Sequence, residues 1–534
     1  MARSHRAERI RAFRAAMTRV ESFLAELTGG TFREWSQEVV TADPLAFGEE
    51  QAYASRLAEL QADDPLAEAS RVGFGAIGGH AVVLVSSDYE FVAGTLGIAA
   101  AERVARAFGV ATVSRRPVIS ICQSGGTRMQ EGTPAFIKML SIGAAISEHR
   151  EAGLPYLSYL MDPTMGGTLA ALGTQGHLVW AAPGASISLT GPRIVEAVTG
   201  RPFPRDEISA EAGLRRGLVD DIVQPGELAP RIAEWLDIVS PQAALPAISA
   251  SRTVPAPVDT HAQQPPDAWR SVTRSRERDR PSIESVIEAS GAPLIEIRGD
   301  RAGSDDRNLL TGFTSLGGEP AVAVGFRRPQ GRGAEVWPGG YRKAQRAISI
   351  AEELDLPLVS FIDTKGAGAG VDEESEGLAH SVGSLIRELL GVRIPTVSVL
   401  MGEGSGAGAI ALVAADSVIA LENAWLAPIA PEAASAILFR NTERAAHMVR
   451  GQAADVAALR EEGLLDSIVP EEPTVAETSE MLVNAVASAL RKTAAMPPEE
   501  RLLARRANVR SLARQHLTIR EPASSPYVES LPLD

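Results

Sequence analysis

The chain has 534 residues, 45% hydrophobic and 22% charged, the balance of an ordinary soluble globular protein. A net charge of −15 works against a nucleic-acid partner, whose phosphates need a basic surface, but leaves room for a local basic pocket around one phosphorylated ligand. A single cysteine, Cys122, excludes internal disulfides and a cysteine-built zinc site and fits a reducing cytoplasm.

The basic stretch from Met1 to Arg11 leads into no apolar signal-peptide core, so it reads as a surface helix, with an organellar transit helix as the alternative. Residues 5–28 and 48–62 carry Ala, Leu and Phe at helical spacing and predict a helical arm. From about residue 70 short apolar runs (Ala81–Val85, Val118–Cys122, Tyr156–Met161, Leu178–Ala181, Ser186–Leu189) alternate with helical stretches at Gly97–Phe108, Thr127–His149 and Arg193–Thr199. That alternation means βαβ units around a largely parallel sheet. Residues 240–280 carry Pro241, Pro246, Pro255, Pro257, Pro265 and Pro266, then the arginine-rich Arg270–Arg280; this composition buries little apolar area and reads as a linker. Strands resume at Ala321–Gly325, Leu358–Asp363, Thr396–Met401 and Val418–Leu421, with helices at Tyr341–Leu354, Glu376–Leu390 and Pro431–Phe439. A helical tail runs from 475 to Arg514, and the final residues are expected to be disordered. Glu403, Asp416 and Glu422 interrupt the apolar runs before the ~20 residues a bilayer span needs, so a cytoplasmic protein without membrane contact is expected.

The two series of strands are copies. Leu154-Pro155-Tyr156 through Met161 and on to Gly166-Gly167 answers Ile394-Pro395-Thr396 through Met401 and on to Gly406-Ala407, each pair of positions 240 residues apart. Val118–Gly126 answers Leu358–Gly366 at the same offset, and Gly217-Leu218-Val219-Asp220 answers Gly463-Leu464-Leu465-Asp466 at 246. A period this long is two related domains rather than a solenoid, whose repeats run about 20–50 residues. The expected division is an arm at 1–45, a first domain at 46–238, a linker at 239–280, a second domain at 281–475 and a helical tail at 476–534.

In both halves an apolar strand stops at a small-residue turn and a helix begins: Gly125-Gly126, Gly166-Gly167, Gly366-Ala367 and Gly406-Ala407. Glycine lets backbone N–H groups approach a ligand, and a helix start leaves them unpaired at the positive end of the dipole. Two facing turns of this kind make a backbone oxyanion hole. One such turn alone is equally a plain strand-to-helix connection; four in two matched pairs point to function. Other chemistries find little support. The eight histidines form no metal-spaced cluster, no phosphate-binding P-loop occurs, and no Gly-x-Ser-x-Gly elbow surrounds Ser124 or Ser405. Glu131, Asp162, Asp363 and Glu403 read first as cap or turn residues and second as acid–base groups.

These segments resemble a known family. Residues 46–223 are similar to the carboxyltransferase β subunit of bacterial acetyl-CoA carboxylase, through Ser124-Gly125-Gly126-Thr127-Arg128-Met129-Gln130-Glu131, Asp162-Pro163-Thr164-Met165-Gly166-Gly167 and Gly191-Pro192-Arg193. Residues 267–515 are similar to the α subunit, through Gly299-Asp300-Arg301, Gly340-Tyr341-Arg342-Lys343, Phe361-Ile362-Asp363-Thr364 and Gly402-Glu403-Gly404. The resemblance implies an α/β protein of two tandem crotonase-type (ClpP/crotonase) ββα domains, a fused β–α carboxyltransferase. It implies carboxybiotin delivered on a separate biotin carboxyl carrier protein, a biotin carboxylase as further partner, an acyl-CoA (acetyl-CoA foremost) as acceptor, no metal, and backbone oxyanion holes that hold a thioester enolate and the biotin ureido oxygen. Carried onto this chain, Gly125, Gly126, Gly166 and Gly167 face the enolate, Gly366, Ala367, Gly406 and Ala407 the biotin, and Lys365, Gly368, Gly404 and Ser405 line the biotin side. It further implies a homodimer or higher oligomer, with Gly97–Phe108 and Glu376–Leu390 as candidate contact helices. The chain departs from the pattern in lacking the four-cysteine zinc ribbon and in placing Lys365 where the family has proline. It contains no Ala-Met-Lys-Met biotinylation site, so any biotin arrives on another chain. A malonyl-thioester decarboxylase, using the same enolate hole without carboxybiotin, and a non-catalytic scaffold remain alternatives.

Overall fold

The computed structural model describes residues 20–35, 38–41, 43, 52–62, 64–189, 204–240, 268–328, 335–366, 376–451 and 454–512. The helix expected at Arg193–Thr199, the Gly191-Pro192-Arg193 motif, Ala367, Gly368 and the end of the tail lie outside them.

Two mixed sheets repeat one path. The first contains β1 (Arg33–Glu34), β2 (Ser70–Ile77), β3 (His80–Ser87), β4 (Val118–Ser124), β5 (Tyr156–Met165), β6 (Leu178–Ala181), β7 (Ile187–Ser188) and β8 (Asp221–Ile222), in the order β1-β2-β3-β4-β5-β6-β8 with β7 on the far end of β5. The second contains β9 (Ile295–Glu296), β10 (Leu309–Leu316), β11 (Glu319–Phe326), β12 (Leu358–Thr364), β13 (Thr396–Ser405), β14 (Ser417–Leu421), β15 (Trp425–Ala427) and β16 (Ser467–Val469), in the order β9-β10-β11-β12-β13-β14-β16 with β15 on β13. Each begins with three antiparallel strands, β1-β2-β3 or β9-β10-β11, of which the last two form a hairpin, and continues in parallel. Gly78-Gly79 and Gly317-Gly318 turn the two hairpins with positive φ at both residues, the backbone that a two-residue turn between twisted strands demands. Val118 pairs with Tyr156 and Leu358 with Thr396, so the 240-residue offset holds in the sheet register as well as in sequence. The fold is the expected one, two tandem crotonase-type α/β domains.

Connecting helices cover the sheets with apolar stripes. Helix Ile98–Val113 buries Ala100, Val104, Ala107, Phe108 and Ala111, and helix Pro338–Glu353 buries Tyr341, Ala344, Ala347, Ile348 and Ala351, both at helical spacing. Ile98–Val113 spends this face on β2, β3 and helix Gly132–Glu151; helix Leu378–Leu389 spends its own on Pro338–Glu353. Each of the two helices expected at a dimer contact thus spends one face inside the chain.

The halves share one core. Helix Leu228–Val239 packs on β10 and β11, with Trp235 meeting Phe313 edge-on at 6.2 Å. Beside it Asp220 accepts hydrogen bonds from Val179 N (2.8 Å) and, across the boundary, from Arg298 N (2.7 Å), Arg346 (3.0 Å) and Arg301. Burial opposes ionisation of Asp220, yet Arg301 and Arg346 outweigh it and hold the carboxyl below the ordinary range. The stretch expected as linker is not all linker: Ala268–Ser275 is a helix that buries Ala268, Ser271, Val272 and Ser275. Its small and apolar residues recur at helical spacing between the arginines, so one face closes against Trp425 and Ala427.

Candidate active site

At the ends of β4 and β5 the chain makes its two turns. The first is locked from within: Gly125 N–H donates to Ala93 O at 2.9 Å, and Gly126 N–H to Ser124 Oγ at 2.9 Å. Ser124 Oγ lies 2.8 Å from Thr168 Oγ1, which ties the first turn to the second. The turns nearly touch, because a side-chain carbon on Gly126 would stand 3.3 Å from Gly166 Cα. Gly166 and Gly167 open a helical turn, so their N–H groups have no carbonyl one turn back, and among the described residues no acceptor meets them.

The second half repeats this arrangement. Gly366 N–H donates to Thr364 Oγ1 at 3.1 Å, the counterpart of the Gly126–Ser124 bond. Gly406 and Ala407 open helix Gly406–Ile410, and again no acceptor meets their N–H groups among the described residues. Of the amides expected to face a ligand, those of Gly125, Gly126 and Gly366 are thus spent on the turns themselves, while those of Gly166, Gly167, Gly406 and Ala407 remain. Gly404 and Ser405 are buried in β13, pairing with Leu426 and Ala427 of β15. They shape the strand end and do not line the cavity beside it.

That cavity, about 370 Å³, is lined by Ser275, Arg276, Arg328, Asp363, Lys365, Glu403 and Ala430. Lys365 stands exposed on its wall and makes no ion pair among the described residues. Arg276 is committed, with Nε 2.6 Å from Glu403 and Nη1 2.6 Å from Glu432. Arg328 donates to the carbonyls of Arg280 and Ser275, both at 3.0 Å. Asp363 is buried; Oδ1 accepts from Glu403 N at 2.9 Å, and Oδ2 has no hydrogen-bond partner among the described residues. Burial pushes its carboxyl up to about 6, against the pull of Arg328 and Arg280.

Arg128 and Glu131, prominent in the first-half motif, act as a clamp. Arg128, fully buried, pairs with Glu68 at 2.6 Å and Glu131 at 2.9 Å. Glu131 also accepts from Thr41, Tyr53 (2.7 Å) and Ile98 N (2.6 Å), so its oxygens are engaged in holding the turn to the N-terminal arm. Asp162 Oδ1 accepts from Ser186 N at 2.8 Å, a turn contact. Sequence reasoning missed Arg276 and Arg328. Arg276 sat in a stretch read as linker, and only the arginine density there gave a signal. Among the described residues no group of three His, Cys, Asp or Glu is placed to hold a metal, and no helix is long and apolar enough to cross a membrane.

Residues 257–513 match the family model for acetyl co-enzyme A carboxylase carboxyltransferase-like proteins. The Mycobacterium bovis "Probable biotin-dependent acyl-coenzyme A carboxylase beta3 subunit" is 38% identical over 486 residues, covering 90% of this chain and 95% of that protein. The "Acetyl-coenzyme A carboxylase carboxyl transferase subunits beta/alpha" of Saccharopolyspora erythraea is 35% identical over 464 residues, covering 85% and 80%. Among solved structures, transcarboxylase 12S superposes with a TM-score of 0.70 at 19% identity over 89% of both chains, a likeness of fold. Two sheets in one register, helix-start amides at equivalent places in both, and relatives matched over nearly the whole length lead to one conclusion: the chain belongs to the carboxyltransferase family of biotin-dependent acyl-CoA carboxylases.

Proposed function

We propose that the protein moves the carboxyl group of carboxybiotin, carried on a separate carrier protein, to the α-carbon of an acyl-CoA, with acetyl-CoA as acceptor and malonyl-CoA as product for fatty acid synthesis in the cytoplasm. The observation that carries this reading is the pair of helix-start turns. An N–H donor fixed before reaction stabilises charge as it develops and needs no reorganisation, which suits an enolate oxygen and a ureido oxygen equally. In this reading Gly166 and Gly167 hold the thioester enolate, and Gly406 and Ala407 hold the ureido oxygen. Gly125, Gly126 and Gly366 shape the turns around these amides. Carboxybiotin, when bound, supplies the carboxyl group and a nitrogen able to take the α-proton. On the biotin side Lys365 places a charge on the cavity wall, and Gly404 and Ser405 shape the adjoining strand end.

Each half supplies one pair of amides, so we further propose a homodimer as the minimal active unit, with a biotin carboxylase and a biotin carboxyl carrier protein as partners. Helix Gly132–Glu151 leaves Phe136, Ile137 and Leu140 exposed on one side. Such a patch, next to the first-half turns, suits a subunit contact. The domain boundaries at 46–238 and 281–475 are proposed on the same grounds. The test is turnover of malonyl-CoA with and without free biotin or biotinylated carrier. Carboxyl transfer that requires biotin supports the reading; biotin-independent loss of CO2 would make the protein a decarboxylase, and an inert, folded chain would make it a scaffold.

A further inference from the structure

The repeat is broken at one chemically telling position. Asp363, at the end of β12, has Gln123, at the end of β4, as its counterpart 240 residues earlier. Gln123 Nε2 donates to Asp162 O at 2.6 Å and closes off its strand end. Asp363 instead presents a carboxyl to the wall of the 370 Å³ cavity, with Oδ2 buried and unpartnered among the described residues. A buried carboxylate oxygen without a donor is costly and calls for an explanation. Gly402 leaves room for the carboxyl group as a whole: a side-chain carbon there would stand 2.6 Å from Asp363 Oδ1. The cavity's cations do not answer it. Arg276 is paired with two glutamates, Arg328 is spent on carbonyls, and neither Arg328, Arg280 nor Lys365 makes an ion pair with Asp363 among the described residues.

We propose that Asp363 accepts a hydrogen bond from a ring N–H of the cyclic urea of biotin, and that this acceptor is what distinguishes the biotin half from the acyl half. The proposal rests on the functional reading above. A cyclic urea presents a carbonyl oxygen and N–H groups on adjacent ring atoms, whereas a thioester presents a carbonyl oxygen with no N–H beside it. Helix-start amides answer the oxygen in both halves. A carboxylate at the end of β12 can answer an N–H, and the equivalent position at the end of β4 holds Gln123 instead. With its carboxyl titrating near 6, Asp363 is the ionised acceptor at pH 8.

The experiment uses the full-length protein at pH 8 and Asp363→Asn, which keeps an oxygen for Glu403 N–H and turns an NH2 group toward the cavity. With malonyl-CoA as donor, KM for free biotin should rise about tenfold or more, the size of one charge-assisted hydrogen bond. KM for the acyl-CoA should hold. Binding is read separately by saturation-transfer NMR. The wild type should bind 2-imidazolidinone and not its 1,3-dimethyl derivative, which has no N–H, and Asp363→Asn should lose the difference. Equal binding of the two rings by the wild type would overturn the proposal without any variant, whatever the variant's stability. An unchanged biotin KM in a folded variant would also overturn it. A wild type that carboxylates no biotin overturns the functional reading together with this proposal; an active wild type with an indifferent variant overturns this proposal alone.

Discussion

Gly217 of the first half and Gly299 of the second lie backbone against backbone: a side-chain carbon on Gly217 would stand 2.3 Å from Gly299 Cα. Both residues have positive φ, +65° and +69°. Gly217→Ala therefore meets a wall of main chain that cannot swing aside, and adopts a left-handed backbone that costs an L-residue roughly 1–2 kcal/mol before the overlap is counted. The expected loss is about 2–4 kcal/mol of unfolding free energy, read from urea midpoints. An alanine tolerated within about 0.5 kcal/mol would show that the two halves do not meet as described.

The unpaired helix-start amides can be deleted one at a time. Ala407 is the second residue of its helix, where proline is tolerated because no intrahelical bond is lost. Ala407→Pro should remove one N–H and little else, lowering kcat by about 10²–10³-fold with the far-UV circular dichroism and melting temperature close to wild type. Full activity in the folded variant would remove Ala407 from the proposed ureido site.

Lys365 provides a sharper comparison, since the family has proline there. Without an ion-pair partner among the described residues, its ammonium is free to act on whatever fills the cavity. Lys365→Pro should change the kinetic constants for biotin and leave those for the acyl-CoA in place. If both sets match wild type, the lysine is a bystander on the rim.

Asp363 should cost stability at neutral pH. Its folded-state value of about 6 lies above the ordinary 3.8, so its favourable contribution is complete below about 3.8 and is lost as pH rises through 6. Ionised and folded, it carries a penalty of at most about 3 kcal/mol. Asp363→Asn should thus be more stable than wild type at pH 8, by an amount that shrinks toward pH 4. Denaturation midpoints at both pH values decide it; a variant weaker at pH 8 than at pH 4, relative to wild type, would contradict this electrostatic account.

If helix Gly132–Glu151 forms the subunit contact, Leu140→Glu should dissociate it. Leu140 is 76% exposed in the single chain, so the substitution should leave the isolated fold intact. Sedimentation should show a shift to monomer together with loss of carboxyl transfer. An active monomer would refute the proposed dimer.

Much of this architecture is legible in the chain. The 240-residue offset, read from Leu-Pro and Gly-Gly segments, reappears in the pairing of Val118 with Tyr156 and Leu358 with Thr396, because strand register follows the apolar pattern. The turns were visible as glycines, but which amides stay unpaired was not. That depends on Ser124 and Thr364 folding back onto Gly126 and Gly366 and on which residues open the next helix, and neither is written in the local sequence. Arg276 was hidden for a different reason. An arginine among prolines and charges reads as solvated chain, and its partners Glu403 and Glu432 lie 127 and 156 residues away. Glu131 read as a possible acid–base group because sequence cannot show that Arg128, Tyr53 and Thr41 already engage it.

The core common to both halves has a consequence for the chain's continuity. Trp235, Leu228 and Ile232 precede residues 241–267, and Phe313, Val322 and Val324 follow them, yet all belong to one buried cluster. Residues 240 and 268 are therefore held in one molecule by this buried surface as well as by the covalent chain between them. A protein severed between these positions by a protease should migrate as two fragments under denaturing conditions and elute as a single species under native ones. Its thermal transition should stay single, since neither fragment can unfold without stripping apolar cover from the other.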